Sequence, residues 1–217
     1  MIKDNLKEVR ESLAEGVELV AVSKYHPISA VEEAYAEGQR VFGESREQEL
    51  RVKYEALPKD IKWHFIGHLQ TNKVKYIAPY IDMIEAVDSL KLMKEIDRQA
   101  EKNCRVIDIL LELHLAQEET KSGMTPQECR EMLDNGEWRD CQHVRICGIM
   151  MMASNTDDMS VVKREFTEAD KLFAEFKESY FAGEEAFTVK SYGMSHDYML
   201  AQECGSNHVR VGSRIFS

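Results

Sequence analysis

The stretch VELVAVSKYHP (residues 17–27) begins with an apolar segment that is typical of a β-strand. One lysine, Lys24, follows where this segment ends. The segment's alternation of valine, leucine and alanine is typical of a strand that is buried on both faces of a parallel sheet. An ammonium group directly after such a strand must either reach solvent or have a functional partner. At this point both interpretations of Lys24 are open: a solvated charge at a strand end, or a reactive amine.

Composition restricts the class of protein and its partners. The chain has 217 residues, 43% hydrophobic and 31% charged, which suits one globular domain spanning residues 1–217. A formal charge of −11 argues against binding to nucleic acid or to an anionic membrane. The five cysteines form no CxxC pair, and no signal pattern or long apolar run is present, so we expect a cytoplasmic protein. The GxGxxG and GxxxxGK phosphate-binding motifs are both absent.

Strand-like and helical segments alternate along the whole chain. Eight segments are predicted as strands: residues 17–24, 40–44, 61–67, 83–88, 106–115, 144–152, 187–193 and 208–216. A helical segment follows each of the first seven, and an extra amphipathic helix over residues 4–15 precedes the first. Strict alternation calls for parallel strands with right-handed crossovers. The pattern predicts a single (β/α)8 TIM barrel, with a doubly wound open sheet as the alternative.

Several helix boundaries are predicted from local signals. Ser29 and Glu32 have the spacing of a capping box that opens a helix over residues 29–39. Thr125 and Glu128 repeat that spacing, with Pro126 at the first helical position. Apolar residues three and four apart between residues 159 and 176 predict a long helix packed on the sheet.

The ends of the seventh and eighth strands carry groups that bind anions. Gly193 allows close backbone approach, and Ser195 is predicted to open a helix whose amino terminus favours an anion. Arg210 and Gly212 share the inward face of the eighth strand, and Ser213 adds a hydroxyl. A simple turn and a surface arginine are the alternative interpretation of these residues.

Barrel closure would place the first strand, and therefore Lys24, beside the eighth. Phosphate commonly binds after strands seven and eight of such barrels. A lysine next to a phosphate site is typical of an imine with a phosphorylated aldehyde or ketone. Imine formation requires the neutral amine, a form that partial burial or a neighbouring cation favours.

Seven segments of the chain carry a resemblance to a known family. The segments are AVSKYHP (21–27), VFGES (41–45), WHFIGHLQTNK (63–73), KSGM (121–124), GIMMMA (148–153), YGMSHDY (192–198) and VRVGSRIF (209–216). The most specific are HFIGHLQTNK and the pairing of GMSHDY with RVGSRIF. With these segments the chain resembles the pyridoxal phosphate homeostasis proteins, the YggS/PROSC group, whose barrel is like the N-terminal domain of alanine racemase. They run from the first strand to the last, so the resemblance covers nearly the whole chain.

The resemblance implies a cofactor and a set of residues that hold it. Lys24 would form a covalent internal aldimine with pyridoxal 5'-phosphate, and Arg210 would face the pyridine nitrogen. Lys121 matches a lysine of the family's KSG segment and would be a secondary contact or a transfer residue. The remaining cofactor contacts implied are Ser195, Gly212, Ser213, Met194, His64 and Ser45.

At a few positions this chain departs from the usual family pattern. Tyr25 and His26 replace the common Thr-Lys or Thr-Arg after the lysine, and His68 replaces proline or serine. Ser45 replaces the asparagine of FGEN, which puts a hydrogen bond beside the cofactor ring in question. Ser213 replaces threonine and keeps the hydroxyl.

The function that the resemblance implies is intracellular storage and delivery of the cofactor without catalysis. The expected partners are pyridoxal phosphate and apo-enzymes that depend on it, and the protein is expected to be a monomer. An arginine beside the pyridine nitrogen weakens the cofactor as an electron sink. The chain also ends with strand eight, so we expect no second domain to supply an opposing base.

Two catalytic alternatives remain open. One is a single-domain amino-acid racemase whose base would be Tyr25, His64 or His196. The other is a Schiff-base aldolase that acts on a phosphosugar without a cofactor. A zinc site at His64 and His68 is not expected, because the HExxH glutamate is absent.

Overall fold

In the computed structural model, which describes residues 1–118 and 122–217, the sheet is a closed barrel of eight parallel strands. Each strand pairs with its neighbours in sequence, and the first strand also pairs with the eighth through Leu19–Val209 and Ala21–Val211. The barrel prediction is confirmed, and closure excludes the doubly wound open sheet.

The strands and helices alternate as the sequence predicts. The strands are β1 Glu18–Val22, β2 Val41–Glu44, β3 Lys62–Phe65, β4 Met83–Val87, β5 Ile107–Leu113, β6 Val144–Met151, β7 Val189–Met194 and β8 His208–Val211. The helices are α1 Ile2–Glu11, α2 Ile28–Ala36, α3 Glu47–Ala56, α4 Val74–Ile77, α5 Leu90–Lys102, α6 Pro126–Asn135, α7 Met159–Ser179, α8 Tyr198–Glu203 and α9 Ser213–Phe216. Short 3-10 turns lie at Thr71–Lys73 and Glu137–Asp140.

The helices cover the outside of the barrel with their apolar faces. In α7 the predicted stripe is largely confirmed, because Val162, Phe166, Ala169 and Phe176 are buried. Phe173 is only partly buried, and Met159 at the helix start is exposed. The extra helix α1 packs against α9, where the Asn5 side-chain amide donates to the carbonyl of Ile215 at 3.1 Å.

One of the two predicted capping boxes forms. The Thr125 hydroxyl accepts from the Glu128 amide at 3.2 Å, and the Glu128 carboxylate accepts from the Thr125 amide at 2.8 Å. The Ser29 box is wrong, because α2 begins one residue earlier, with Pro27 at its N-cap. Pro27 is extended, with φ −68° and ψ 163°, and the helix begins with Ile28, so Ser29 lies inside the first turn and not at the cap.

Three further boundaries differ from the prediction. Helix α8 begins at Tyr198, with Asp197 at its N-cap, so Ser195 lies in a turn and does not open the helix. The eighth strand ends at Val211 and is followed by α9, where an uninterrupted strand through residue 216 was predicted. The helix predicted after the third strand is only the turn at residues 71–73 and α4.

Gly193 has a different role from the one predicted. Its φ is +91°, and an added Cβ would lie 2.5 Å from the Cβ of Ala201 in α8. The close approach that it allows is therefore between β7 and α8.

Within residues 1–118 and 122–217, no helix combines the length and apolar character needed to cross a membrane.

We predict that Gly193→Ala lowers the free energy of unfolding by about 3 kcal/mol, because it adds a steric clash to an unfavourable backbone angle. Gly16→Ala is the matched control, since Gly16 has φ +81° but open space around it. That control should lose only about 1 kcal/mol. Urea denaturation measures both, and equal losses would show that the contact with α8 is unimportant.

Candidate functional site

The carboxyl ends of the strands surround a cavity of about 530 Å³. This volume is typical of sites for small molecules and cofactors. Seven of the eight residues predicted to contact a ligand line it: Lys24, Ser45, Met194, Ser195, Arg210, Gly212 and Ser213. Other lining residues include His68, Ser122, Asn155 and His196. Lys121, the predicted secondary contact, lies outside the described residues.

Lys24 stands at the rim of this cavity, in a turn directly after β1. The turn is closed by the His26 amide, which donates to the carbonyl of Ser23 at 3.1 Å. Lys24 is exposed, and its Nζ has no hydrogen-bond or ion-pair partner within residues 1–118 and 122–217. The side chain thus reaches solvent and lines the cavity at the same time, and no carboxylate of the described residues forms an ion pair with its amine.

The carboxyl ends of β7 and β8 lie next to each other, and β8 is the neighbour of β1 in the barrel. The Gly212 amide donates to the Ser195 hydroxyl at 3.0 Å, and Arg214 Nε donates to the Ser195 carbonyl at 2.7 Å. A Cβ at Gly212 would lie 3.0 Å from the carbonyl oxygen of Val22, so glycine allows β8 to approach β1 closely. Ser213 follows as the first residue of α9. The hydroxyl groups of Ser195 and Ser213 therefore line the same cavity as Lys24.

Arg210 lies inside the barrel and is 4% exposed. Its Nη1 donates to the carbonyl and the hydroxyl of Ser191, at 2.7 and 2.6 Å, and its Nη2 donates to the Met151 carbonyl at 2.8 Å. These bonds hold the guanidinium at the cavity wall. This is the inward orientation that the sequence predicts for Arg210. Because a guanidinium has five N–H groups, two remain for a ligand.

A buried carboxylate, Glu85, compensates the positive charge of the Arg210 guanidinium. It accepts from the Ser191 hydroxyl at 2.6 Å, lies 2.7 Å from His64 Nδ1, and is 3.7 Å from Arg210 Nη1. Burial alone would raise the pKa of Glu85, but His64, Arg210 and Ser191 together lower it to about 2. Glu85 is therefore ionised at neutral pH.

His64 is the one predicted contact that the structure does not place on the cavity lining. It is buried inside the barrel, where its ring is hydrogen-bonded to the Glu85 carboxylate. It supports the arginine through that carboxylate. Sequence analysis did not single out Glu85, although a carboxylate in the middle of the apolar run MIEAV was a usable signal.

No cluster of three or more metal-binding side chains occurs in the described part of the chain. His64 contacts Glu85, whereas His68 lies 3.4 Å from Asp88. The two histidines thus have separate acidic partners.

Comparison with known proteins first defines the class of the barrel. The family model "Alanine racemase, N-terminal domain" matches residues 1–217. The alanine racemase of Clostridium difficile superposes with a TM-score of 0.77 over 99% of this chain and 58% of its own, at 16% identity. This second likeness concerns the fold alone. The protein is a barrel of the alanine racemase N-terminal type.

More similar relatives define the family within that class. Pyridoxal phosphate homeostasis proteins of Aquifex aeolicus and Helicobacter pylori are 37% and 35% identical, covering 91% and 92% of this chain and 85% and 87% of theirs. PipY of Synechococcus elongatus, solved with and without pyridoxal phosphate, superposes over 100% of both chains, with TM-scores of 0.91 and 0.93 at 34% and 35% identity. The chain belongs to the pyridoxal phosphate homeostasis protein family.

The low pKa of Glu85 predicts a specific loss of stability in acid. A carboxylate whose pKa falls on folding stabilises the protein above its ordinary pKa, and this contribution is lost as the pH falls towards the folded value. Between pH 5 and pH 3, the wild type should lose about 2 kcal/mol more unfolding free energy than Glu85→Gln. Urea denaturation at several pH values measures this difference, and parallel curves would contradict the assignment.

Proposed function

We propose that this protein binds pyridoxal 5'-phosphate and holds it as a reversible imine on Lys24. The observation that carries the proposal is the Lys24 amine, which makes no hydrogen bond or ion pair among the described residues and lines the same cavity as Ser195, Gly212 and Ser213. A phosphorylated aldehyde needs both features, an amine for its carbonyl carbon and donors for its phosphate. The family relationship supports the choice of this aldehyde, since PipY has been solved with pyridoxal phosphate bound.

The phosphate would be held where β7 and β8 end. Ser195 and Ser213 provide hydroxyl donors, and the close packing of Gly212 on β1 brings them near Lys24. The cofactor has a planar aromatic ring, and Met194 offers an apolar contact beside the phosphate position. Ser45 lines the cavity with a hydroxyl in place of the family's asparagine, and we propose it as a contact on the ring side.

Arg210 would face the pyridine nitrogen of the bound cofactor. Its guanidinium is fixed by Ser191 and Met151 and keeps two N–H groups for a ligand. A permanently charged donor at the ring nitrogen opposes protonation there, and an unprotonated ring withdraws electrons weakly. The site is therefore better suited to holding the cofactor than to catalysis on it.

The biological role that fits these properties is cofactor homeostasis. The curated relatives are named for this role and not for an enzymatic activity. We propose that the protein acts as a monomer in the cytoplasm and exchanges pyridoxal phosphate with apo-enzymes. A reversible imine suits this exchange, because hydrolysis releases the free aldehyde and the lysine amine, whereas an incoming amine takes over the cofactor as a new imine and releases the lysine.

We predict that the purified protein incubated with pyridoxal phosphate develops the near-visible absorption band of an imine, and that Lys24→Ala abolishes it. Borohydride should bleach the band and leave the reduced cofactor on the peptide that contains Lys24, as mass spectrometry would show. Lys62→Ala is the control, because Lys62 begins β3 at the opposite end of the barrel. A band of full strength in Lys24→Ala would assign the imine to another lysine.

A single-domain racemase remains the alternative, because alanine racemases share this barrel. Of the three bases considered from sequence, only His196 lines the cavity, since His64 contacts Glu85 and Tyr25 is 65% exposed at the surface.

We predict no steady-state turnover when the loaded protein is incubated with D- or L-amino acids, because Arg210 weakens the electron sink. Chiral chromatography of the amino acids tests this prediction. Racemisation that His196→Asn removes would favour the enzyme over the carrier.

A further inference from the structure

A buried ion cluster lies directly beneath the turn that carries Lys24. Lys53 of α3 is 3% exposed, and its Nζ donates three hydrogen bonds of 2.7 Å. The acceptors are the Ser23 carbonyl and the Oε1 atoms of Glu44 and Glu49. All three N–H groups of the ammonium are therefore used, and one of them is bonded directly to the residue before Lys24.

The two carboxylates of the cluster contact both sides of Lys24. Glu44 accepts from the Ser23 hydroxyl at 2.6 Å, and Glu49 accepts from the Tyr25 amide at 2.7 Å. Tyr25 has φ +69°, which is unfavourable for a residue with a side chain. The bond to Glu49 stabilises this conformation.

Burying these charges costs desolvation free energy, which is more than the stability of a short turn requires. Glu44 is fully buried, and its second oxygen has no hydrogen-bond partner among the described residues. A buried ion pair commonly stabilises a fold no better than apolar side chains of similar size. What the cluster does achieve is a fixed backbone on each side of one lysine whose amine makes no hydrogen bond or ion pair within residues 1–118 and 122–217.

We propose that Lys53, Glu44 and Glu49 are positioning residues for Lys24, which present its amine to the cavity and thereby set the equilibrium between imine and free aldehyde. This inference rests on the proposed function. In the reaction, the neutral Nζ adds to the aldehyde carbon, and the carbonyl oxygen leaves as water. A turn that is already fixed loses less conformational freedom when the imine forms, so the imine is favoured.

The test separates imine formation from the remainder of cofactor binding. The probes are pyridoxal phosphate and 4-deoxypyridoxine 5'-phosphate, which has a methyl group in place of the aldehyde and cannot form an imine. The ratio of their dissociation constants reports the imine equilibrium. Glu49→Ala should weaken pyridoxal phosphate binding about tenfold and leave the analogue unchanged, as expected when a strained backbone is released.

Two further variants sharpen the test. Glu49→Gln retains an oxygen for the Tyr25 amide and should lose less affinity than Glu49→Ala. Glu55→Ala removes an exposed carboxylate from the same helix, away from the turn, and should match the wild type. Lys53 is left intact, because its removal would leave Glu44 buried without a counter-charge and would threaten folding.

Each outcome gives a distinct answer. Equal weakening of both probes by Glu49→Ala would show that the cluster supports the fold of the cavity and not the lysine, and would overturn the inference. Unchanged binding of both probes would also overturn it. A wild-type protein that binds both probes equally and shows no imine band would overturn the proposed function, and the inference with it.

Discussion

The hydrogen bonds between β1 and β8 are the constraint on which the remainder of the site depends. The pairing of Val20 with Arg210 and of Ala21 with Val211 closes the barrel. It also fixes the distance between two stretches that are far apart in sequence, the turn at Lys24 and the turn at Gly212. A one-residue shift in this register would move Arg210 from the interior to the outer face. The amine, the hydroxyls and the guanidinium share one cavity because that register is fixed.

Two groups of buried charges support the cavity from below, and each fixes a different functional side chain. Glu85, with Ser191 and His64, supports Arg210, whereas Lys53, with its two carboxylates, secures the backbone around Lys24. Buried charges are tolerated when they are paired and hydrogen-bonded, and in return they allow few alternative geometries. The barrel therefore fixes the Arg210 guanidinium by direct hydrogen bonds. At Lys24 it fixes the backbone and leaves the amine without such bonds among the described residues. In both cases the support comes from buried, paired charges.

Much of the architecture and most of the cavity lining could be predicted from the sequence, because both follow from local patterns. Alternating strands and helices indicate a parallel barrel, and strand ends identify the residues at its mouth. The supporting charges could not be predicted in this way. Glu85 contacts Ser191, more than a hundred residues away, and Lys53 contacts Ser23, which lies 30 residues earlier in the chain. The boundaries at Ile28 and Tyr198 were misplaced because the turns before them outweighed the capping signals.

The closeness of Gly212 to Val22 also has a consequence for biosynthesis. Domains emerge from the ribosome amino terminus first, at roughly 5–20 residues per second, so on the order of ten seconds or more separate the appearance of Lys24 from that of Gly212. During this time the groups proposed to bind the phosphate, at the ends of β7 and β8, are not yet beside the lysine. Under the proposed function, a nascent chain would meet the aldehyde in that interval without retaining it selectively. Selective retention would begin only when β8 has docked against β1.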